Sequence, residues 1–593
     1  MEAVQEAPLV MRLWAKTNPF QPLPCHLVDV GYVALELLKT NAFRMVKRRF
    51  AEATACPVDA VDSWIGYLVA LHDWGKCWRN FQGRAPAKLG ESLLSAGLNL
   101  NVEEQEKSIR HEVISRLWVE EHLESWAGWT RRAARTVGAA IAAHHGRLGQ
   151  DLPQLFEFDG RDKWEVLRTE VEEMVRAVFR PEPWRADFVH HSVAGMLLAG
   201  LIVWADWIAS NEQLFPLRWN GEGWLDYIDL SRIAARQAVQ RLGLGEENPW
   251  QLSRTFAETW PNLQNPRPIQ LAMEDLVQTD AGTEAGLVII EAPMGEGKSE
   301  AALYLATRWI QDGGGLYVAL PTAATSNQMF DRVRRFLKQH DAGGAAALQL
   351  VHGASWLVDD TSFEVVPEIY DEDDDADGQV ASEWFRPRKR SLLATYGVGT
   401  IDQALMAVLH VKHGFLRLLG LVGKVLIVDE VHAYDAYMSE MLTLLLSWCR
   451  ALGIRVILLS ATLPRSRREA LIAAYSGCER SADSSDGFST PYPLVTVVKP
   501  SGEVVERSVE PGKRRAHVQI LHHEGMLGDA QAVAKLAVER LGNEGCLCVI
   551  ANTVGLAQAI FEELKRIAPD VPKLLLHSRF LARDRQRIEK KST

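Results

Sequence analysis

The segment from Leu287 to Ser299, LVIIEAPMGEGKS, constrains this chain more than any other stretch. An apolar, β-branched run ends in a glycine-containing loop, and the loop opens directly into the helical pattern EAALYLATRWI. That strand, loop and helix order is what a phosphate cradle needs. Gly295 and Gly297 let backbone N–H groups approach phosphate, Lys298 can reach the β and γ oxygens, and Ser299 can hold Mg²⁺. The strict phosphate-loop pattern has glycine where Ala292 stands, so the flanking strand and helix carry the assignment.

Three further runs repeat the texture: GLYVALPT, KVLIVDE and RVILLSAT, each separated from the next by helical sequence. Strands alternating with helices predict a parallel sheet with helices on both faces. Asp429 and Glu430 emerge at the carboxyl end of KVLIVDE, where open parallel sheets bind ligands. Asp429 suits Mg²⁺ coordination and Glu430 suits orienting the attacking water. They follow Lys298 by 131 residues and precede Ser460-Ala461-Thr462 at the end of another apolar strand. Two exposed acids alone would be a solvated strand end, but this combination points to nucleotide hydrolysis.

From about residue 26 to 240 the spacing of Trp, Leu, Ala, Glu and Arg is helical, with few β-branched runs, so that half is expected to be all-α. It carries His26, the pair His72-Asp73, His111, the pair His144-His145, and Asp206. In YLVALHDWGK the pair closes an apolar helical stretch; neighbouring helix residues point about 100° apart, so both side chains can face one pocket. The Asp73 carboxylate could bridge two cations, one activating water and the other stabilising a leaving oxygen. Lys76 lies three residues on and could balance phosphate charge, or be an ordinary solvated lysine. His190-His191 has no supporting neighbours and reads as structural. Mixed imidazole and carboxylate ligands suit Fe, Mn, Co, Ni or Zn rather than Mg or Ca.

A length of 593 residues implies two to four domains. The expected boundaries are 1–245 for the metal domain, 250–480 for a first sheet-bearing lobe, 481–514 for a linker with some strand content, and 515–593 for the start of a second lobe. In that last stretch GCLCVIANT is expected to be a strand and VGLAQAIFEELKRIA a helix. The formal charge of −11 comes mostly from Asp359 to Asp377, which holds ten acidic residues and no basic one; without it about −1 remains. That run reads as a solvated loop, and the rest of the chain can still present a basic groove. Seven scattered cysteines, with no pair of C-x-x-C elements, read as reduced thiols in a cytoplasm. The acidic start MEAVQEAPLV lacks a signal-peptide pattern. Val193 to Ala205 is too short to span a bilayer and reads as a buried helix, so no membrane is expected.

These elements, with Gln270 in NPRPIQ, Thr322 in ALPTAATSNQ and Thr400 in YGVGTIDQ, resemble the ordered motifs of superfamily 2 helicases. The resemblance implies that Gln270 reads adenine, that Thr322 and Thr400 lie against the nucleic-acid backbone, and that Ser460 and Thr462 couple hydrolysis to domain motion. In the other half, LHDWGK, RHE, AAHHG and LIVWADWIASN resemble the HD phosphohydrolase superfamily. Together with CHLVDVGYVA, VGTIDQAL, DEVHAYDAYM and LLHSRF they resemble the signature nuclease-helicase of type I CRISPR systems over nearly the whole chain. That resemblance implies one ion on His26, His72, Asp73 and Asp206, and a second on Asp73, His111, His144 and His145, with iron or another transition metal expected. It further implies ATP with Mg in the helicase, endo- or exonucleolytic cleavage of single-stranded DNA, and 3′ to 5′ translocation. The DNA would be recruited by an RNA-guided surveillance complex, with the protein itself a monomer.

The second RecA-like lobe, from about Arg515, has roughly 80 residues, and the Q-R-x-G-R-x-x-R type of arginine motif is absent from the sequence. A truncated second lobe and an impaired motor are therefore expected. Two other functions fit the residues: a nucleotide phosphohydrolase with a regulatory ATPase lobe, and a nucleotide-gated DNA-binding module without catalysis. Activity on mononucleotides would select the first, and DNA binding without cleavage under any added metal the second.

Overall fold

The computed structural model describes residues 6–101, 109–146, 163–242, 255–263, 265–310, 314–340, 348–351, 394–409, 411–478, 491–512, 518–542, 545–580, 584 and 587–588. The acidic run 359–377 lies outside them. The chain divides into two compact units, Met1–Gly512 and Lys513–Thr593.

In the first unit a helical turn, Leu9–Arg12, is followed by a short antiparallel hairpin, β1 (Trp14–Thr17) with β2 (Phe20–Pro22), and the rest of the N-terminal half is helical. The helices that matter for the site are α1 (Leu23–Lys39), α2 (Val61–Ala70), α3 (His111–Ser125), α4 (Arg131–Ala142) and α5 (His191–Ser210). Helix α1 begins with Pro24 in its first turn, where the missing N–H is harmless. Helix α4 is capped by Thr130, whose Oγ1 accepts from Ala133 N at 3.3 Å. The 20-residue α5 is long and apolar enough to cross a membrane by length and composition, yet 89% of its most apolar window is buried inside the protein. It is a core helix, longer than the apolar run from Val193 to Ala205.

The same unit holds an eight-stranded sheet in the order β10-β9-β3-β8-β7-β4-β6-β5. Its strands are β3 (Leu287–Glu291), β4 (Gly315–Leu320), β5 (Leu348–Val351), β6 (Tyr396–Thr400), β7 (Lys424–Val428), β8 (Arg455–Ser460), β9 (Leu494–Val498) and β10 (Val504–Ser508). Strands β3 to β8 are parallel; β9 and β10 add an antiparallel hairpin to the β3 edge. Thus much of the stretch read as a linker is part of the sheet, because Val495, Val497 and Val498 are buried apolar residues that cover β3.

The period of two in the strands sorts their side chains into two layers. Leu287, Ile289, Tyr317, Ala319, Leu426, Val428, Val456 and Leu458 join one core that is continuous with the helical half. Val288, Ile290, Leu316, Val318, Val425, Ile427, Ile457 and Leu459 join a second core with Met273, Tyr304 and Phe336. Helices α6 (Pro268–Val277) and α7 (Lys298–Trp309) contribute to the second layer; α8 (Phe415–Leu421), α9 (Ala436–Leu452) and α10 (Arg465–Ser476) contribute to the first. The helical half and the sheet are therefore parts of one packed body.

The second unit contains α11 (Ala530–Leu541) and α12 (Val554–Ile567), which pack on each other. Asp529 caps α11 by accepting from Gln531 N and Ala532 N, each at 3.0 Å. The run GCLCVI between them, expected as a strand, pairs with no strand among the described residues, and Ile550 is 92% exposed. Apolar alternation alone does not make a strand; a ladder partner must be present.

Candidate metal centre and phosphate-binding edge

His72 and Asp73 lie on a tight 3-10 turn, Leu71–Lys76, rather than on the α-helix α2 that precedes it. In a 3-10 turn residues i and i+3 eclipse, which sets Lys76 directly against Asp73, Nζ to Oδ2 at 3.0 Å. Lys76 is buried, so the solvated alternative is excluded. The turn packs against the start of α3 because Gly75 has no side chain: its N–H donates to Ser115 Oγ at 2.8 Å, and a Cβ there would stand 2.1 Å from the His111 carbonyl oxygen. That approach brings His111, the first residue of α3, to Asp73.

The Asp73 carboxylate divides the remaining candidates between its two oxygens. Oδ2 lies 3.3 Å from His26 Nε2 and 3.3 Å from His72 Nε2, and these two imidazoles also face Asp206 Oδ1, at 3.5 and 3.7 Å. Oδ1 lies 3.1 Å from His111 Nε2 and 3.5 Å from His144 Nε2, while His145 Nε2 is 3.2 Å from His111 Nε2. His26 comes from α1, Asp206 from α5, and His144 and His145 from a 3-10 turn that ends α4 at Gly146. All seven predicted ligands are thus brought together, in two sets joined by Asp73. His190 and His191 stay apart; His191 Nδ1 meets Thr136 Oγ1 at 2.7 Å.

The donor chemistry fits cations. His72 Nδ1 faces Val69 O at 3.0 Å and His144 Nδ1 faces Ile141 O at 2.6 Å, so in each ring a proton sits on Nδ1 and Nε2 points inward. His72 Nε2 and Asp73 Oδ1 are buried without a well-formed hydrogen bond. Burial alone would lower the His72 pKa, but Asp73 and Asp206 outweigh it and raise it to about 10, so the inward Nε2 position that would take a cation holds a proton when no cation is bound. Burial pulls His26 down to about 4. Burial would raise Asp73, yet Lys76 and His72 hold it well below the usual carboxylate range. Lone pairs crowding on shared carboxylates is the pattern of a site built for positive charge.

One neighbour escaped the sequence reading. Glu112 is fully buried, with Oε2 3.7 Å from His111 Nδ1 and 4.0 Å from His145 Nε2. It adds a buried negative charge beside the second ligand set, at ion-pair rather than hydrogen-bond distance; its signal was its place beside His111 in RHE. In front of the site, a cleft of about 210 Å³ is lined by Asn80, Phe81, Arg84, Arg110 and His111.

The nucleotide motifs gather at the carboxyl edge of the sheet. Glu291 pairs in register with Ser460, and Leu320 with Thr400; Asp429 N donates to Ala319 O at 2.9 Å. Gly295 and Gly297 take φ of +79° and +80°, which only glycine adopts cheaply. Gln270 presses on the loop, its Nε2 3.4 Å from Gly297 O. Lys298 donates to Ala292 O at 2.7 Å and Pro293 O at 3.1 Å, and burial lowers its pKa. Ser299 follows it in the first turn of α7. Asp429 is raised to about 6, first by burial and then by Glu430. Glu430 itself is held at φ +54°, a strained conformation for a side-chain-bearing residue.

His432, also unnoticed in the sequence although it ends Asp-Glu-Val-His, ties these motifs together. Its Nδ1 accepts from Ala461 N at 3.2 Å, so its proton is on Nε2, 3.0 Å from Glu430 Oε2. Ser460 is buried and its Oγ donates to Thr462 O at 2.8 Å, whereas Thr462 and Thr322 are exposed. Thr322 Oγ1 accepts from Thr325 N at 3.2 Å, and Thr400 is buried at the end of β6. At the end of β3, Glu291 forms a buried ion pair with Arg468 of α10, Oε2 to Nη1 at 2.8 Å.

A helical histidine-aspartate centre joined to a phosphate-loop lobe defines the class: an HD-type phosphohydrolase fused to a RecA-like helicase core. Residues 14–215 match the family "Cas3, HD domain", 267–470 "DEAD/DEAH box helicase", and 543–593 the C-terminal part of "CRISPR-associated nuclease/helicase Cas3". The CRISPR-associated endonuclease/helicase Cas3 of Thermus thermophilus is 37% identical over 96% of this chain, which spans 60% of that relative's length. The crystal structure of T. fusca Cas3-ATP superposes with a TM-score of 0.81 at 30% identity, over 99% of this chain and 67% of that one. A chain of a CRISPR RNA-guided surveillance complex, pre-nicking, gives 0.71 at 26% identity, over 99% and 65%. The chain belongs to the Cas3 nuclease-helicase family.

Proposed function

We propose that the helical half cleaves single-stranded DNA at a two-ion centre and that the sheet half binds ATP with Mg to drive 3′ to 5′ translocation. The observation that carries this reading is the division of His26, His72 and Asp206 from His111, His144 and His145 across the two oxygens of Asp73. Two divalent transition ions there, Fe, Mn, Co or Ni, would supply the activated water and the charge to stabilise the leaving oxygen. Lys76 and, at the cleft, Arg84 and Arg110 supply positive charge for the phosphodiester. Lys298 and Ser299 would hold the nucleotide phosphates, with Asp429 and Glu430 at the γ-phosphate end.

A relative at 26% identity is found in the structure of a CRISPR RNA-guided surveillance complex, which supports DNA delivered by such a partner. Seven free cysteines agree with a cytoplasmic setting, and the reading takes the protein as a monomer. The test is metal analysis with single-stranded DNA cleavage for the parent, Asp73→Ala and Lys298→Ala. Asp73→Ala should lose both ions and at least about 100-fold in cleavage, more than a group one shell out would cost; Lys298→Ala should lose nucleotide binding alone. Full cleavage by Asp73→Ala would sink the metal assignment.

A further inference from the structure

The metal ligands all come from the helical half, but the segments that carry them are clamped by a loop of the sheet-bearing half. His413 is buried and sits at φ +56°, a left-handed conformation that a residue with a side chain adopts only where its surroundings impose it. Its backbone N–H donates to Gly146 O at 2.9 Å, one residue after His145. Its ring stands edge-on to Trp207, centroids 5.1 Å apart, one residue after Asp206. Gly146 has φ +110°, and a Cβ on it would lie 2.5 Å from Lys412 Cγ and 2.8 Å from His413 Nε2, so the two segments approach as closely as glycine allows. Further along the same contact, Gly200 of α5 lies against Leu419 of α8, where a Cβ would be 2.9 Å from Leu419 Cδ2.

The two residues beside Gly146 and Trp207 belong to different ligand sets: His145 to the second, Asp206 to the first. One ring therefore touches the supports of both. Asp73 joins the two sets directly, and His413 joins the residues next to them, Gly146 and Trp207. We propose that His413 is a positioning residue for the metal centre, fixing the separation of the two ligand sets from within the helicase lobe. The proposal rests on the two-ion reading above. A direct consequence is that the relative placement of the ions depends on the sheet-bearing half, although that half donates no ligand. Any shift of the loop 411–414 would pass to both ligand sets through a ring contact and a backbone hydrogen bond.

The test uses the full chain loaded with Mn²⁺, comparing the parent, His413→Ala and His413→Phe by Mn²⁺ titration, electron paramagnetic resonance and thermal unfolding. Two ions held close together give an exchange-coupled spectrum, distinct from that of isolated Mn²⁺. His413→Ala should weaken Mn²⁺ binding by about 10-fold or more, as loss of an orienting group does, and replace coupled signal by isolated signal. His413→Phe, which restores a ring against Trp207, should recover the coupled spectrum. A purely structural role would lower the melting temperature of His413→Ala while leaving the spectrum per bound ion unchanged, and that result overturns the proposal. So does a His413→Phe spectrum as uncoupled as that of His413→Ala. A parent without a coupled pair would overturn the two-ion reading itself, which needs no His413 variant to detect.

Discussion

Around Asp73, five imidazoles and two carboxylates share a buried space in which each charge has a partner of opposite sign or a lone pair awaiting a cation. At the phosphate loop, Lys298 instead spends its charge on the carbonyls of its own loop, with Asp429 and Glu430 near enough to perturb it. The first arrangement is complete before anything binds. The second is a resting state, in which a ligand must displace internal hydrogen bonds before the lysine can meet a phosphate. The difference follows from position: the candidate metal ligands converge from helices and tight turns inside one core, whereas the nucleotide motifs lie along the open edge of a sheet. Preorganisation of this kind is what fixed metal geometry needs, and a yielding loop is what repeated nucleotide turnover needs.

The comparison breaks most sharply where the sheet edge does contain a buried charge pair. Arg468→Met would leave Glu291 buried without its cation, at a cost of about 3–5 kcal/mol, partly relieved because burial already raises the Glu291 pKa. Chemical denaturation should show that loss with metal content unchanged; a variant as stable as the parent would mean the β3 edge is not held by this pair. Smaller is the expected effect of Gly75→Ala. Its Cβ would meet the His111 carbonyl oxygen at 2.1 Å and Ser115 N at 2.7 Å, so the 3-10 turn must retreat from α3. Overpacking of this kind costs about 1–3 kcal/mol. Elemental analysis should find the ion on the His111 side depleted, with nucleotide binding intact. Retention of two ions at parent affinity would show that the turn has more freedom than its packing suggests.

The residues gathered around Asp73 were named in the sequence through the family resemblance of LHDWGK, RHE, AAHHG and LIVWADWIASN, since pairing alone would also have picked out His190-His191, which stands apart. What pattern could not supply was the 3-10 turn at Leu71–Lys76, since apolar spacing does not separate an α-helix from a tighter one over six residues. His413 and Arg468 were missed for a different reason: each meets a partner distant in sequence, so no local text marks it. The strands β3, β4, β7 and β8 were readable as continuous apolar runs, as expected for a sheet covered on both faces. GCLCVI shares that texture but has no paired strand among the described residues. The hairpin β9 and β10 was half visible in PLVTVV, hidden by the Ser, Asp, Pro and Gly around it.

A last, pH-dependent effect concerns a charge that the sheet half buries at the other end of the strand bearing Asp429. Lys424 is fully enclosed at the start of β7, and burial lowers its pKa to about 7. In the unfolded chain the same group titrates near 10.4. Below pH 7 both states carry the proton, and the cost of burying it is felt in full. Between pH 7 and about 10.4 the unfolded state holds a proton that the folded state has released, so stability rises with pH, by up to about 1.4 kcal/mol per unit. Lys424→Met keeps an unbranched side chain of similar length and removes the titration. Unfolding curves from pH 7 to 9.5 should show a rising stability in the parent and a flatter, higher line in the variant. Parallel lines would mean that Lys424 keeps its proton on folding, with its charge as well compensated as the charges around Asp73, and the contrast between the two halves would then narrow to the phosphate loop alone.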